Sequence, residues 1–356
     1  ANGEIDIMIG PRSALFTPFP DLGLIIIDEE HEGAYKSETA PRYDAREVAK
    51  VRADMSRAAV VLGSATPSVE SYYLAEQGEY KLLTLTKRAK ENSRLAGVHI
   101  VDLREELAEG NRSIFSRRLK GLIEDRLANR QQVMLFMNRR GYAGFVSCRS
   151  CGKAMKCPHC DVSLTYHKNG RLKCHYCGFE RPLPDRCPSC GSPFIAPFGT
   201  GTQKLEEFTK REFPKARILR MDADTTAKKG AHEEILATFA EGGADILIGT
   251  QMIVKGHDFA NVTLVGVMAA DLSLYAPDYK SAERTFELLT QASGRAGRGE
   301  LQGDVVIQTY APDHYAVSSA AEQDYLQFYR QELLYRKMMG YPPLVRLLTI
   351  GLSSKR

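Results

Sequence analysis

The 356-residue sequence lacks any apolar run of about 20 residues, the length that an α-helix needs to cross a bilayer. It also lacks the charged-then-apolar start of a secretory signal peptide. These two absences argue against membrane-spanning and exported classes and predict a cytoplasmic protein with no membrane partner. A large excess of one charge is missing as well. The formal net charge of +4 is compatible with a nucleic acid partner but is too small to indicate one.

The phosphate-binding pattern G-x-x-x-x-G-K-[ST] is also absent from the sequence. The only adjacent Gly-Lys pair is Gly152 and Lys153, which lies in a cysteine-rich segment. Without this loop there are no backbone amides to surround nucleotide phosphates and no lysine to reach them.

The composition is that of an ordinary globular protein, with 43% apolar and 26% charged residues, and the length suffices for two or three domains. Short aliphatic runs predict strands that are covered on both faces, as in a parallel sheet. The stretches between them, such as residues 116–130 and 202–213, have helical patterns, so strand and helix alternate and an α/β fold is expected. The predicted strands lie at residues 4–10, 23–28, 58–66, 132–138, 216–222, 245–251, 261–268 and 303–309.

Two segments depart from this alternation. Residues 147–192 contain all eight cysteines and few aliphatic residues, which predicts a small inserted module. Near the other end, a long helix is expected to end before Pro342, and residues 344–352 resemble the start of a strand in a further domain. The predicted domains are a first lobe (1–110), the start of a second lobe (111–146), the cysteine module (147–192), the rest of the second lobe (193–320) and a C-terminal helix with the start of another domain (321–356).

The aliphatic run at residues 23–27 ends directly in four charged or titratable residues, Asp28, Glu29, Glu30 and His31. In parallel α/β sheets, ligands bind beyond the carboxyl ends of the strands. Asp28 is therefore placed to hold Mg²⁺, generally through water, and Glu29 is a candidate base for an attacking water. The alternative is a strand end with solvated acids.

The cysteines form four C-x-x-C pairs, a spacing that in a cytoplasmic protein indicates metal rather than disulfides. Two structural Cys₄ zinc sites are predicted. Three ways of combining the pairs exist, but an Asn-Gly hairpin turn at residues 169–170 favours a shared site for the two middle pairs. The first site then contains Cys148, Cys151, Cys187 and Cys190, and the second contains Cys157, Cys160, Cys174 and Cys177.

Five segments resemble, in the right order, the motifs of superfamily 2 helicases, which implies two RecA-like lobes, the first truncated in this sequence, with the double-zinc insertion in the second. The resemblance identifies residues 10–18 (GPRSALFTP) with motif Ia, 28–31 (DEEH) with motif II, 63–67 (GSATP) with motif III, 249–259 (GTQMIVKGHDF) with motif V and 291–299 (QASGRAGRG) with motif VI.

The resemblance also implies roles for individual residues. Gln291, Arg295 and Arg298 are expected on one face of one helix, which closes over the γ-phosphate across a cleft, with Arg298 as the arginine finger. Glu30 and His31 are expected to transmit the state of the bound nucleotide to the DNA-contacting face. Their expected partners in this coupling are Ser64 and Thr66 on the motif III loop. Gly256 and Asp258 are expected to approach ATP. Thr250 and Gln251 are expected to face the nucleic acid backbone.

Further segments, including RYDARE (42–47), NRRGY (138–142) and GTGTQKLEE (199–207), resemble the PriA (primosomal protein N′) family of bacterial replication-restart DNA helicases. The resemblance covers nearly the whole sequence. It implies ATP-driven 3′-to-5′ unwinding at stalled forks, nucleoid association, and partnership with DNA, ATP, primosome proteins and single-strand-binding proteins. Because the phosphate-binding loop is missing, the sequence resembles a fragment of such a helicase that hydrolyses little or no ATP by itself.

Aromatic and basic residues alternate between motifs II and III, a mixture that suits single-stranded DNA because rings stack on bases while cations neutralise phosphates. The candidates are Tyr35, Lys36, Arg42 and Tyr43, and a second basic turn contains Arg139 and Arg140. Simple packing of the two tyrosines and solvation of the two arginines are the alternatives. Rival functions are an RNA helicase or translocase of the same superfamily and a non-catalytic zinc-containing scaffold. The zinc module is expected to contact DNA, to bind partner proteins or to act as a wedge between strands.

Overall fold

A computed structural model describes residues 5–37, 39–87, 96–137, 145–167, 169–197, 201–228, 230–254, 259–297 and 301–348. The chain divides into two compact units, residues 1–84 and 85–356. Among the described ranges, no helix is both long and apolar enough to cross a membrane.

The first unit is a strand-helix-strand arrangement that brings two polar loops to the same edge. Its elements are β1 (Leu24–Ile27), α1 (Ala45–Ser56), β2 (Ala59–Leu62) and α2 (Val69–Glu76), with 3₁₀ helices at Arg12–Phe16 and Gly33–Tyr35. The strands β1 and β2 are parallel, with Leu24 opposite Ala59 and Ile27 opposite Leu62. Because parallel strands end at one edge, the residues after Ile27 and after Leu62 meet.

Two expectations for this unit are wrong. Residues 5–10, which the structure describes, form no strand, and their isoleucines are exposed. The strands β1 and β2 are not covered on both faces by described residues: Leu24, Ile26 and Val61 are exposed, because α1 packs on the pair and in strands alternate side chains point to opposite faces.

The second unit is built on a six-stranded parallel sheet. Its strands are β3 (Gly97–Asp102), β4 (Gln132–Phe136), β10 (Ile218–Met221), β11 (Ile246–Gly249), β12 (Val262–Val267) and β13 (Asp304–Thr309). Their order across the sheet is β10-β11-β4-β12-β13-β3. Every residue of β4, β11 and β12 is buried, as their continuous apolar sequences predict.

Helices cover this sheet and complete the core. They are α3 (Leu103–Ala108), α4 (Arg117–Ala128), α5 (Thr202–Glu212), α6 (Ala231–Ala240), α7 (Asp271–Leu274), α8 (Ser281–Ser293), α9 (Tyr315–Glu322) and α10 (Tyr325–Met339). The helix α4 illustrates why they form here. Ser116 caps its N-terminus by accepting a hydrogen bond from the Leu119 amide, and Leu119 and Ile123 enter the core one turn apart.

The boundary predicted at residue 110 differs from the structure, which places residues 97–108 in the second unit. The strand β3 pairs in parallel with β13, with Gly97 opposite Asp304 at one end and Asp102 opposite Thr309 at the other. This pairing extends the six-stranded sheet at its edge, so β3 is a part of the second unit. The described residues 344–348 form no strand, in contrast to the expectation for that segment.

The cysteine module lies between β4 and α5, and its described residues form short antiparallel strands. These are β5 (Val146–Cys148), β6 (Thr165–Tyr166), β7 (Arg171–Lys173), β8 (Glu180–Pro182) and β9 (Ile195–Pro197). The strands β5 and β9 pair with each other, which joins the two ends of the module, and β6, β7 and β8 form a three-stranded sheet.

Candidate functional site

The acidic segment after β1 is held by backbone hydrogen bonds to the loop after β2. The Gly63 amide donates to the Ile27 carbonyl at 2.9 Å, and the Glu30 amide donates to the Gly63 carbonyl at 3.0 Å. The carboxylates of Asp28 and Glu29 remain exposed at this edge, where a metal ion and a water molecule have access. The backbone of Glu29 has a φ of 47°, a left-handed conformation that is uncommon outside glycine.

Glu30, in contrast, is almost fully buried and is bound on three sides. Its Oε1 accepts a hydrogen bond from the Ser68 amide at 2.6 Å, and its Oε2 accepts one from Ser71 Oγ at 2.9 Å. Arg46 Nη1 donates to Oε2 at 3.2 Å. Glu30 therefore connects the end of β1 with the N-terminus of α2 and with α1. Arg46, Ser68 and Ser71 are not among the predicted site residues, although a serine just before an apolar helix is a signal for an N-cap.

His31 and Ser64, both predicted to couple nucleotide state, are in contact. Ser64 Oγ lies 2.7 Å from His31 Nδ1, and the Thr66 amide donates to Ser64 Oγ at 3.0 Å. Glu29 Oε2 is 3.6 Å from the same His31 nitrogen. A single chain of polar contacts thus runs from the exposed Glu29 through His31 to the loop after β2.

The loop between β1 and α1 carries the four predicted DNA-binding residues of this unit. Lys36 and Arg42 are exposed, which leaves their cationic groups accessible to phosphates. Tyr35 is half-buried and donates a hydrogen bond to the Asp28 carbonyl at 2.7 Å. Burial, followed by the charge of Asp28, raises the pKa of Tyr35. The ring of Tyr43 packs on Phe16 with a centroid distance of 5.3 Å, so both tyrosines have packing roles.

This loop is fastened to α1 by Asp44, which caps the helix and accepts hydrogen bonds from the Arg46 side chain at 2.8 Å and 3.0 Å. Burial opposes ionisation of Asp44, but its hydrogen bonds with Arg46 outweigh that effect and lower its pKa. Arg46 thereby contacts both Glu30 and Asp44, the last residue before α1.

The candidate residues of the second unit are only partly described. Thr250 is buried at the end of β11, and Gln251 begins a 3₁₀ helix that runs to Val254. Gln291 lies on α8. The expectation that Arg295 shares this helix is wrong, because α8 ends at Ser293 and Arg295 lies in the following turn. The remaining candidates, Arg139, Arg140, Gly256, Asp258 and Arg298, lie outside the described residues.

A glycine-rich sequence follows α8, and the described residues 294–297 form a turn. Gly297 has a φ of 71°, and a Cβ at this position would lie 2.4 Å from the Gly303 amide nitrogen. Only glycine permits both the left-handed conformation and this close approach. The helical i, i+4 spacing therefore does not apply to Gln291 and Arg295.

The eight cysteines form two clusters, and the predicted pairing is confirmed. The first cluster consists of Cys148, Cys151, Cys187 and Cys190, and the second of Cys157, Cys160, Cys174 and Cys177. In the first cluster, the Sγ atoms of Cys148 and Cys190 are 3.6 Å apart, and in the second those of Cys157 and Cys177 are 3.6 Å apart. Four thiolates at about 2.3 Å from a tetrahedral zinc would be roughly 3.8 Å from one another, so both clusters fit Zn²⁺.

Each C-x-x-C pair forms the same compact turn, which we call a knuckle. The amide of the first cysteine donates to a carbonyl five residues later, as in Cys157 to Val162 and Cys174 to Phe179. The residue after the second cysteine donates back to the first, as in Gly178 to Cys174. The Asn-Gly hairpin between the middle knuckles forms as predicted, with Thr165 opposite Lys173. The geometry that the zinc requires is therefore built into four local repeats.

Comparisons with known proteins agree with this arrangement. The PriA DNA helicase Cys-rich region (CRR) domain matches residues 157–182, and the helicase conserved C-terminal domain matches residues 195–300. The replication restart protein PriA of Bacillus subtilis is 54% identical over 98% of this chain, and that of Synechocystis is 49% identical over 98%. The structure of RecG bound to a three-way DNA junction shows a loose likeness, with a TM-score of 0.42 and 14% identity, over 88% of this chain and 30% of that one.

The chain spans 44% of the length of the Bacillus subtilis relative and 43% of that of the Synechocystis relative. The matched part contains both zinc clusters and the acidic segment after β1, and the alignment with each relative covers 98% of this chain. The chain belongs to the PriA family of replication restart proteins.

Proposed function

We propose that the protein acts in an ATP-dependent 3′-to-5′ DNA helicase that works at stalled or branched replication forks, restarts replication and assembles the primosome. The proposed partners are forked and single-stranded DNA, ATP, primosome proteins and single-strand-binding proteins, and the proposed location is the bacterial cytoplasm at the nucleoid. Membership of the PriA family supports this proposal. The observation that carries it is the chain of contacts from exposed Glu29 through His31 to Ser64.

This chain of contacts gives a physical route from nucleotide chemistry to the rest of the unit. Asp28 would hold Mg²⁺ through water, and the ion would neutralise charge on the phosphates. Glu29 would accept the proton of the attacking water. A change in charge at Glu29 alters its interaction with His31, and His31 is hydrogen-bonded to Ser64. The same network supports the proposed coupling roles of Glu30 and Thr66, since Glu30 binds the start of α2 and Thr66 binds Ser64.

The remaining candidate residues are assigned nucleotide-binding or DNA-binding roles from the chemistry of their side chains. Gln291, Arg295 and Arg298 are proposed to contact the γ-phosphate, with Gly256 and Asp258 near the nucleotide. Among the DNA-binding candidates, exposed Lys36 and Arg42 would neutralise phosphates, while Thr250 and Gln251 would contact the backbone. The full set of proposed DNA contacts is completed by Tyr35, Tyr43, Arg139 and Arg140.

The absence of G-x-x-x-x-G-K-[ST] favours a second candidate function, a non-catalytic zinc-containing scaffold that recruits replication proteins. The two candidates differ in what they require of Glu29. A scaffold has no need of an exposed carboxylate at the strand end, whereas a motor depends on it.

The test uses this chain completed with the remaining segments of the Bacillus subtilis relative, together with its Glu29→Gln variant. A motor loses at least about 100-fold in DNA-stimulated ATP hydrolysis on removal of its base, yet still binds ATP. The matched control is Glu47→Gln, which changes an exposed glutamate of the same unit. Strand displacement on forked DNA, compared with duplex RNA, tests the substrate class. The 356-residue chain alone is expected to hydrolyse little ATP.

Normal ATP turnover in Glu29→Gln would remove Glu29 from its role. If the completed parent protein shows no DNA-stimulated hydrolysis at all, the motor proposal fails and the scaffold remains. Preference for duplex RNA over forked DNA would contradict the replication-fork assignment.

A further inference from the structure

One of the four zinc knuckles differs from the others at a position that is otherwise glycine. Gly152, Gly178 and Gly191 follow the second cysteine of their pairs with φ values of 74°, 77° and 72°. The second pair is followed by Asp161, which adopts the same left-handed conformation with a φ of 51°. This conformation is unfavourable for residues with a Cβ, although aspartate tolerates it better than most. The side chain of Asp161 therefore needs a compensating interaction.

The compensating interaction lies outside the module. Asp161 Oδ2 accepts a hydrogen bond from the hydroxyl group of Tyr335 at 3.3 Å, and Tyr335 lies on α10, 174 residues further along the chain. The same Oδ2 is 2.8 Å from Lys156 Nζ, inside the module. The preceding residue makes a second contact with the same region, because Tyr341 donates to the Cys160 carbonyl at 2.7 Å. Two consecutive residues of one knuckle are thus bound by two tyrosines.

The helix α10 is in turn fastened to α8 by a buried ion pair. Arg336, which is fully buried, donates through Nη2 to Glu283 Oε2 at 2.8 Å and through Nε to Glu332 Oε1 at 2.7 Å. Glu283 lies in the first turn of α8, the helix that also carries Gln291. Breaking such a buried pair would leave an uncompensated charge, so this connection resists separation.

A second connection runs through aromatic rings. Tyr341 stacks on Tyr279 with a centroid distance of 4.9 Å and an interplanar angle of 16°. The guanidinium group of Arg336 lies over the Tyr279 ring at 5.3 Å from its centroid. Tyr341, which binds the knuckle, and Arg336, which binds α8, therefore both contact the Tyr279 ring. These contacts form one continuous cluster.

We propose that Asp161 and Tyr335 form a latch that docks the second zinc site on α10, so that the zinc module, α10 and α8 move as one body. Asp161 is a positioning residue: it does not touch zinc or nucleotide, but fixes the module relative to the helix that carries Gln291. The consequence is that a load on the zinc module, from DNA or from a protein, is transmitted to α8. This consequence for the ATP cycle rests on the proposed function, whereas the latch does not.

Three variants separate the latch from the zinc site itself. Asp161→Gly supplies the residue that the other three knuckles use, so the zinc-loaded chain should keep two zinc ions while the latch is lost. Tyr335→Phe removes the same hydrogen bond from the helix side. Asp161→Asn keeps an oxygen that can accept from Tyr335 and should restore parent behaviour. The matched control is Lys156→Ala, which removes the ion pair inside the module and leaves Tyr335 in place.

The measurement is amide hydrogen exchange of the zinc-loaded 356-residue chain. Exchange in residues 157–177 and 325–341 should be about tenfold faster in Asp161→Gly and in Tyr335→Phe, since a hydrogen bond to a charged group is lost. The double variant should exchange no faster than the faster single variant, because both changes break one contact. Unchanged exchange in both single variants, at a zinc content of two, would overturn the latch. Exchange in Lys156→Ala as fast as in Asp161→Gly would also overturn it.

A second measurement, of ATP hydrolysis, tests whether a load on the zinc module reaches α8 in the chain completed with the Bacillus subtilis segments. The DNA-stimulated rate of ATP hydrolysis should fall several-fold in Asp161→Gly and recover in Asp161→Asn, while the rate without DNA stays unchanged. Equal DNA stimulation in the parent and in Asp161→Gly would overturn the transmission to α8. A parent that shows no DNA stimulation would contradict the proposed function, and in that case the exchange data alone decide whether the latch exists.

Discussion

The guanidinium group of Arg46 bridges two carboxylates that belong to different parts of the first unit: Nη1 lies 3.2 Å from Glu30 Oε2 and Nη2 lies 2.8 Å from Asp44 Oδ2. Glu30 is 1% exposed, so Arg46 is its charged partner in a largely dry environment. One arginine thus holds together the end of β1, the loop with the DNA-binding candidates and the start of α1.

Replacement of Arg46 by alanine is expected to destabilise the local structure by about 3 kcal/mol, because it leaves the buried Glu30 carboxylate without its counter-charge. The measurement is the opening free energy of the amides at Ser68 and Ser71, obtained from hydrogen exchange. The control is Glu47→Gln, which breaks the exposed pair with Lys50 and should cost less than about 0.5 kcal/mol. Equal effects of the two substitutions would show that Glu30 does not depend on Arg46.

The parts of the fold that could be predicted are those with a local signal. The strands β4, β11 and β12 are largely apolar runs and β13 has an apolar centre, and the pairing of the middle cysteines follows from one Asn-Gly turn. The strand β3 was missed because His99 interrupts its apolar sequence and because its position is fixed by β13, about 200 residues away. A local sequence pattern carries no information about a pairing with a strand so far along the chain.

The same distinction applies to the site. The exposed Asp28 and Glu29 could be predicted because they follow a strand directly, and the contact between His31 and Ser64 agrees with the expected proximity of two strand-end loops. The partners of Glu30 could not be predicted, since Arg46, Ser68 and Ser71 reach it from two different helices. The end of α8 was misjudged because a side-chain spacing was followed across a Gly-rich turn.

A pair of glycine substitutions tests how the first zinc knuckle packs on the sheet. Gly152 and Gly178 have φ values of 74° and 77°, but a Cβ on Gly152 would lie 2.1 Å from the Tyr310 carbonyl oxygen, whereas nothing lies within 4 Å of a Cβ on Gly178. Gly178→Ala should therefore cost about 1 kcal/mol through backbone strain alone. Gly152→Ala should cost several times as much, because a contact with backbone atoms cannot be relieved by a side-chain rotation.

Denaturant unfolding of the two variants at equal zinc content provides the comparison. A third variant, Gly121→Ala, calibrates the scale: Gly121 lies within α4 with nothing within 4 Å of its Cβ, so alanine should stabilise the protein by about 0.5–1 kcal/mol. If Gly152→Ala and Gly178→Ala are equally destabilising, the close approach to Tyr310 is absent in solution.

Cysteine substitutions test the pairing of the zinc ligands, in which the outer C-x-x-C pairs share one site and the middle pairs share the other. Cys148→Ser and Cys157→Ser should each reduce the zinc content from two ions to one, because each removes a ligand from a different cluster. The double variant Cys148→Ser/Cys187→Ser should also retain one ion, since both residues belong to the same cluster. Zinc is measured by atomic emission after gel filtration. A zinc content of zero in Cys148→Ser/Cys187→Ser would contradict the pairing.

Removal of zinc by a chelator should unfold the module rather than merely empty it. The buried cluster of the module is small and consists in part of the cysteines themselves. A structural zinc site contributes roughly 10–16 kcal/mol in isolated zinc peptides, more than such a core supplies. Hydrogen exchange after chelation should show loss of protection in β6, β7 and β8, with the six-stranded sheet still protected.

His314 predicts a pH dependence of stability whose sign can be derived. Its Nδ1 accepts a hydrogen bond from the Ala316 amide at 3.2 Å and so caps α9, and its ring stacks on Tyr315. Burial, assisted by the charge of Lys156, lowers the pKa of His314 from 6.5 to about 4. Since the folded protein favours the neutral ring, its stabilising contribution is complete above pH 6.5 and is lost as the pH falls towards 4.

The variant His314→Asn keeps an N-cap but does not titrate, so its stability should depend less on pH between 6.5 and 4. The difference in slope should correspond to at most about 3 kcal/mol over this range. Unfolding of both proteins is measured at pH values where the zinc content is still two, since acid also releases zinc and would add the same loss to both. Parallel stability curves for the parent and His314→Asn would mean that His314 is already protonated in the folded protein without penalty, and that the helix cap does not depend on the neutral ring.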